Sequence, residues 1–214
     1  MAHKFGIITE ADARNLPVGS TVELEKGGHV TPLAQDTLRE RRVTVVTGGA
    51  FDPSLPDDLA PVSPARRVAI GSDHTGVAMK AAIVDYLRRQ GLKVEDFGTN
   101  GPEAVDYPDI AGRVAKAVSR GEADAGIVID GAGIGSTMAA NKVPGVRAAM
   151  CLNETLARYA REHNGAHVAA LGSTMMSVDQ AKAIVDIFLT TPTREPRYLR
   201  RLLKLRELEG RAGL

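Results

Sequence analysis

One heptapeptide concentrates the potential for chemistry. Asp130-Gly131-Ala132-Gly133-Ile134-Gly135-Ser136 sets three glycines at alternate positions behind an acid. Glycines let a backbone approach a ligand closely, and the N–H groups of such a loop, with those of a following helix, form an anion cradle. A tight turn would use the same glycines. The spacing is GxGxG, not the GxGxxG of a dinucleotide fingerprint, and no Walker lysine follows. Asp130 either acts as a general base beside a developing oxyanion or caps the turn.

Other residues suit the same chemistry. Asp73-His74 offers groups for sugar hydroxyls or phosphate, or an N-cap beside a surface histidine. Tyr107, in Asp106-Tyr107-Pro108, brings a phenol to a helix start. His163 and His167 are four apart, but Gly165 breaks the helix and no third ligand stands out, so no metal site is expected. Arg197 and Arg201 are one helical turn apart and suit a phosphate monoester, or belong to a solvated basic face with Glu195, Glu207 and Glu209. Cys151 reads as a small core residue.

These residues need a frame. Apolar runs at 67–71, 92–97, 125–129, 146–151 and 167–171 read as strands. Helical periodicity covers 75–90, 108–119, 134–141, 154–163, 178–190 and 197–208. Such alternation predicts an α/β, Rossmann-like five-stranded parallel sheet with helices on both faces. Ligands of these sheets bind at the carboxyl ends of the strands near a switch point. Topology therefore selects 72–76, 98–106, 130–136, 152–154 and 172–174.

The chain has 214 residues, and Lys+Arg of 27 against Asp+Glu of 26 gives a net charge of +1. That balance supplies no global case for nucleic acid or an acidic membrane. Residues 48–66 hold four of the eleven prolines and read as an extended linker. It separates a small N-terminal module, 1–47, from a domain at 67–214. The single cysteine excludes an internal disulfide framework. No apolar run reaches transmembrane length, and the N-terminus lacks the pattern of a secretory signal. A cytoplasmic location is expected.

The runs GSDHTGVAMK, DYPDIA, GIVIDGAGIGSTMAANKVPGVRAAMC and REHNGAHVAALGS occur in that order. Together they resemble the sugar-phosphate isomerases of the ribose-5-phosphate isomerase B and galactose-6-phosphate isomerase family. The resemblance implies aldose–ketose isomerisation through an enediol, without metal or organic cofactor. It implies that Asp73 and His74 contact the sugar or its phosphate and that Tyr107 lines the pocket. His163 would open the furanose ring, with Asn164 beside it, and Arg197 and Arg201 would bind phosphate. It further implies a homodimer or dimer of dimers, with His163 and the arginines serving the neighbouring chain's site. Gly131, Gly133 and Gly135 would stabilise the oxyanion.

Four positions depart from the family pattern. Asp130 stands where many members carry a cysteine base. Ser136 stands where others carry a glutamate. Ala132 replaces a hydroxyl residue, and Thr174 an arginine. Asp130 is expected to replace the cysteine, with no thiol to ionise. The alternative is a catalytically silent sugar-phosphate-binding or scaffold protein.

In the N-terminal module, Thr9 with Asp12 forms a capping-box pattern and Thr31-Pro32 a helix start, with a helix over 32–42. The module is similar to N-terminal segments of cobalamin adenosyltransferases and other microcompartment-associated proteins. That implies recruitment to a bacterial microcompartment shell or cargo; a dimer-stabilising arm is the alternative.

Overall fold

The computed structural model describes residues 4–47 and 56–211, so the first part of the proline-rich segment, 48–55, lies outside the described residues. Two compact units divide after Pro56, with Glu195–Arg197 grouped with the first.

The N-terminal unit runs β1 (Lys4–Ile8), α1 (Glu10–Asn15), β2 (Thr21–Val30), α2 (Pro32–Glu40) and β3 (Thr44–Thr47). Its three strands are parallel in the order β1-β2-β3. The capping box forms: Thr9 N–H donates to Asp12 at 2.8 Å, and Asp12 N–H donates back to the Thr9 hydroxyl. Thr31 caps α2, with Pro32 at its start. The helix stops at Glu40, short of the expected Arg42, which takes a positive φ of 54°. Ile8, Ala13, Leu16, Val22, Leu24, Ala34 and Leu38 make a core of this unit's own.

The second unit runs β4 (Arg67–Ser72), α3 (Val77–Arg89), β5 (Lys93–Asp96), α4 (Tyr107–Ser119), β6 (Ala125–Asp130), α5 (Ile134–Ala140), β7 (Ala148–Met150), α6 (Glu154–Glu162), β8 (Val168–Gly172), α7 (Val178–Thr190) and α8 (Pro196–Arg211). All five strands are parallel, in the order β5-β4-β6-β8-β7. From β4 the chain goes first to one side, to β5, and then to the other, to β6. The switch point therefore lies between the ends of β4 and β6.

Strand alternation sends Val68, Ile70, Ile127, Ile129 and Leu171 to a face packed by α3, α6 and α7. Ala69, Val128 and Ala170 face α4 and α5. Small residues on this second face let α4 come close. A Cβ on Gly71 would lie 2.5 Å from Ile110, and one on Gly126 2.9 Å from Val114. This close approach is how a chain with 4% aromatics fills its core.

Two local expectations change. The strand expected over 146–151 is reduced to Ala148–Met150. Asn141 takes its outer edge: the side-chain amide donates to Ala148 O at 2.9 Å and accepts Ala148 N–H at 2.8 Å. Second, residues 57–66 are not a linker. Leu59 is fully buried, and Ala65 N–H donates to Leu189 O. Arg147 donates to Leu59 O at 2.8 Å and Arg161 to Val62 O at 2.6 Å. Proline density signals an extended backbone; it carries no information about distant arginines that claim its carbonyls.

Candidate active site

The parallel register sets Ser72 beside Ile129 and Asp130 beside Gly172, so the loops after β4, β6 and β8 meet at one edge. Asp73 follows β4 and is buried; its N–H donates to Ile129 O at 3.0 Å. Its Oδ1 accepts the Thr75 N–H at 2.8 Å and hydroxyl at 2.6 Å. Asp73 is thus an N-cap, heading the short turn His74–Gly76. His74 is exposed on that turn.

The glycine loop closes around its own acid. Asp130 Oδ1 accepts N–H groups from Ala132, at 2.9 Å, and Gly133. Oδ2 accepts the Ser136 N–H at 2.8 Å. The cradle expected for a ligand's anion therefore holds the Asp130 carboxylate. Burial pushes this carboxyl up, but bonds from the Ser136 hydroxyl and the Ser136, Gly133 and Ala132 N–H groups outweigh it and hold it below its ordinary value. Ser136 is buried behind the loop and acts on Asp130 rather than facing outward. The first-turn N–H groups of Ile134 and Gly135 have no acceptor within α5.

Tight packing explains two of the glycines. Gly133 has φ 82°, and a Cβ there would lie 3.1 Å from the Leu171 backbone. A Cβ on Gly135 would lie 2.5 Å from the Tyr107 ring. Tyr107, first in α4 and partly exposed, thus packs its ring against the start of α5. Gly131 borders Thr75, whose hydroxyl would be 3.9 Å from an added Cβ. Thr174 binds the Gly131 carbonyl through its hydroxyl at 2.7 Å and its N–H at 3.1 Å. Where the family pattern has an arginine, this chain has a threonine that ties two loops together.

His163 and Asn164 stand elsewhere. α6 ends with His163 as its C-cap, and the chain then enters β8 at Val168, the end opposite Gly172 and Asp130. Four strand steps, roughly 13 Å, separate the two ends of β8. The His163 ring lies between Tyr159, with centroids 4.5 Å apart, and Tyr198, at 4.4 Å. Arg158 lies over the Tyr159 ring, 5.5 Å from its centroid, and Arg201 lies 5.7 Å from the Tyr198 centroid. Arg197 precedes Arg201 by one turn of α8. One edge of the sheet thus holds Asp73, His74, Tyr107, Asp130 and the glycine loop, and the other holds His163, Asn164 and Arg201.

Two further cationic or nucleophilic candidates are structural. His167 Nδ1 faces the Arg147 N–H at 3.2 Å, and burial with the charges of Arg147 and Arg161 pushes His167 down to about 3. Burial pushes the Cys151 thiol up to about 12, far from a base near neutral pH.

Sequence reasoning selected the windows holding Thr75 and Ser173 but did not single these hydroxyls out. Their partners are 98 residues apart in the chain. Tyr159 was also missed, although its spacing of one helical turn from His163 was visible.

A doubly wound parallel sheet with an acid-led glycine loop at its switch point is a Rossmann-like scaffold that binds small ligands at its strand ends. Residues 68–205 match the family described as Ribose/Galactose Isomerase, and the chain belongs to that family. It is 40% identical over 146 residues to ribose-5-phosphate isomerase B of Escherichia coli, covering 68% of this chain and 98% of that one. The ribose-5-phosphate isomerase B structure from Clostridium thermocellum is 48% identical, with a TM-score of 0.67, over 68% of this chain and 98% of that one. The Mycoplasma genitalium enzyme, solved with bound ribulose-5-phosphate, is 40% identical with a TM-score of 0.65, over 67% of this chain and 95% of that one. Among the described residues, no helix is long and apolar enough to cross a membrane.

Proposed function

We propose that the protein is an aldose–ketose isomerase for a sugar phosphate, ribose 5-phosphate/ribulose 5-phosphate or a close relative, with Asp130 as general base. The observation that carries the reading is the carboxylate of Asp130 at the switch point of an isomerase-family sheet, held charged by its loop. Asp130 takes the C2 proton of the open-chain aldose and returns it to C1, while the O2 proton passes to O1. The first-turn N–H groups of Ile134 and Gly135 face the enediolate oxygen. Asp73 and His74 contact the sugar or its phosphate, and Tyr107 lines the pocket. His163 opens the ring by taking the anomeric hydroxyl proton and delivering one to the ring oxygen, with Asn164 beside it. Arg197 and Arg201 bind the phosphate.

Asp130 and His163 flank opposite ends of β8. That separation supports a site completed by a second copy, in a homodimer or dimer of dimers. The N-terminal unit, with its own core, suits an accessory role, either docking to a microcompartment shell or cargo or bracing the dimer.

One observation favours a second reading, a silent sugar-phosphate-binding protein. The loop N–H groups that would meet an oxyanion are partly spent on Asp130. NMR in D2O with tetrose, pentose and hexose phosphates separates the two. Deuterium entry beside the carbonyl, with conversion, is the isomerase result. Binding without exchange is the silent one.

A further inference from the structure

We infer that residues Leu59–Val62 are a positioning element for His163, acting through Arg147 and Arg161; this rests on the ring-opening role of His163 in the reading above. The family match begins at residue 68, so the segment lies outside it. Arg147 donates to Leu59 O at 2.8 Å and, through Nε, to Gly165 O at 2.9 Å. Arg161 donates to Val62 O at 2.6 Å and to Ala166 O at 2.9 Å. Each guanidinium therefore takes one carbonyl from the segment and one from the turn that follows His163 and Asn164.

A guanidinium is a planar, rigid fork of five donors. Two carbonyls held by one fork keep a fixed separation, and a second fork fixes their orientation. Burial makes these bonds obligatory: Arg161 is fully buried, and the donors of a buried charge must be met. The turn also closes locally, with the Gly165 N–H on Arg161 O and the Ala166 N–H on Ala160 O. Those bonds end the helix and leave the Gly165 and Ala166 carbonyls to the two arginines.

The turn has no slack. Gly165 takes φ 52°, and a Cβ there would lie 2.6 Å from Leu202, 3.2 Å from Arg147 Nη2 and 3.4 Å from Pro61. Leu59 and Pro61 are themselves buried, so side chains as well as carbonyls anchor the segment. His163 is the C-cap of α6, and helix ends fray unless something ties them. Two residues beyond His163 the clamp begins. It sets where the imidazole stands between Tyr159 and Tyr198.

Initial rates of the full chain with ribose 5-phosphate test the inference, using Leu59→Ala, Arg147→Lys and Val62→Ala, each alone and combined with His163→Asn. Leu59→Ala removes the buried anchor. Arg147→Lys keeps the charge but loses the fork, and it carries the test where Leu59→Ala does not fold. Misplacing a reacting group by about 1 Å costs up to roughly 10²-fold. Leu59→Ala and Arg147→Lys should each slow turnover by about tenfold to a hundredfold and leave the residual rate of His163→Asn unchanged, since no positioned ring remains to lose. The His163 ring resonance, shifted by its two tyrosine neighbours, should move in both variants. Val62→Ala, whose side chain is exposed and whose carbonyl is retained, should match wild type. Full turnover in both segment variants, an equal further loss on the His163→Asn background, or an unmoved ring resonance overturns the inference and leaves the isomerase reading intact. A wild-type protein that turns over no sugar phosphate removes that reading, and the inference with it.

Discussion

Asp130 Oδ2 accepts the backbone N–H of Ser136 at 2.8 Å, six residues along the chain. The residue assigned as the base thus also closes the loop in which it would work. The same bonds keep it charged and reduce its basicity. Activity and stability are therefore coupled at this position.

Asp130→Asn tests both roles. An amide keeps one acceptor oxygen and turns an NH2 group toward an N–H donor of the loop. We expect turnover to fall by about 10²–10⁴-fold, the range for losing a general base. Unfolding free energy should fall by about 1–3 kcal/mol, the cost of a buried donor left unpaired. Deuterium exchange and urea titration read the two effects separately. Full turnover in this variant would reassign the base.

The division of the site between two edges of the sheet predicts complementation. Asp130→Asn and His163→Asn proteins each lose most of their activity on ribose 5-phosphate. Unfolded together and refolded at equal ratio, half of the dimers are mixed. Each mixed two-fold dimer carries one intact composite site, so activity returns to about a quarter of wild type. A site built within one chain gives no recovery.

Ring opening separates His163 from Asp130 by substrate. A tetrose 4-phosphate has its O4 esterified and cannot close a furanose ring. His163→Asn should slow ribose 5-phosphate by about 10²-fold or more and leave turnover of erythrose 4-phosphate nearly unchanged. Asp130→Asn should stop both. Initial rates with the two sugars decide it.

Gly135 has no room for a side chain, because its missing Cβ would lie 2.5 Å from the Tyr107 ring. Gly135→Ala should cost about 1–3 kcal/mol through overpacking. Tyr107→Ala in the same chain should return most of that loss, since the ring is what the methyl meets. A double-mutant cycle in urea measures the coupling.

His167 gives the stability a pH slope. Its folded value is pushed to about 3 by burial, Arg147 and Arg161, against an ordinary 6.5. Between these values the unfolded chain binds the extra proton, so stability rises with pH across this window and falls on acidification. The slope approaches about 1.4 kcal/mol per pH unit. Asp130 acts lower: its depressed value gives stability that is present above the ordinary carboxylate range and lost as pH falls through the folded value. From pH 6.5 to 4.5 the urea midpoint should therefore drop, and His167→Asn should flatten the drop.

Local pattern was sufficient for much of the architecture. The run Ala125–Ile129 is apolar at every position, as a strand covered on both faces must be, and it forms the centre of the sheet. The helix over 178–190 appears with those bounds, because Ser177 and Gln180 cap it and Thr191 ends it locally. Motif order likewise pointed to the family that residues 68–205 match. Residues 57–66 failed the same test, since prolines report backbone shape and not the buried arginines that hold Leu59 and Val62.

The sequence by itself determined the order of strands and helices, the acid-led glycine loop and its place after a central strand. These follow from hydrophobic period and residue type, which act over a few neighbours. Only the tertiary structure decided that the loop's N–H groups close on Asp130, that His163 stands at the opposite end of β8 between Tyr159 and Tyr198, and that Ser173 reaches Thr75. Hydrogen-bond partners and ring contacts between residues far apart in the chain depend on how the elements pack, and residue spacing along one segment does not encode that.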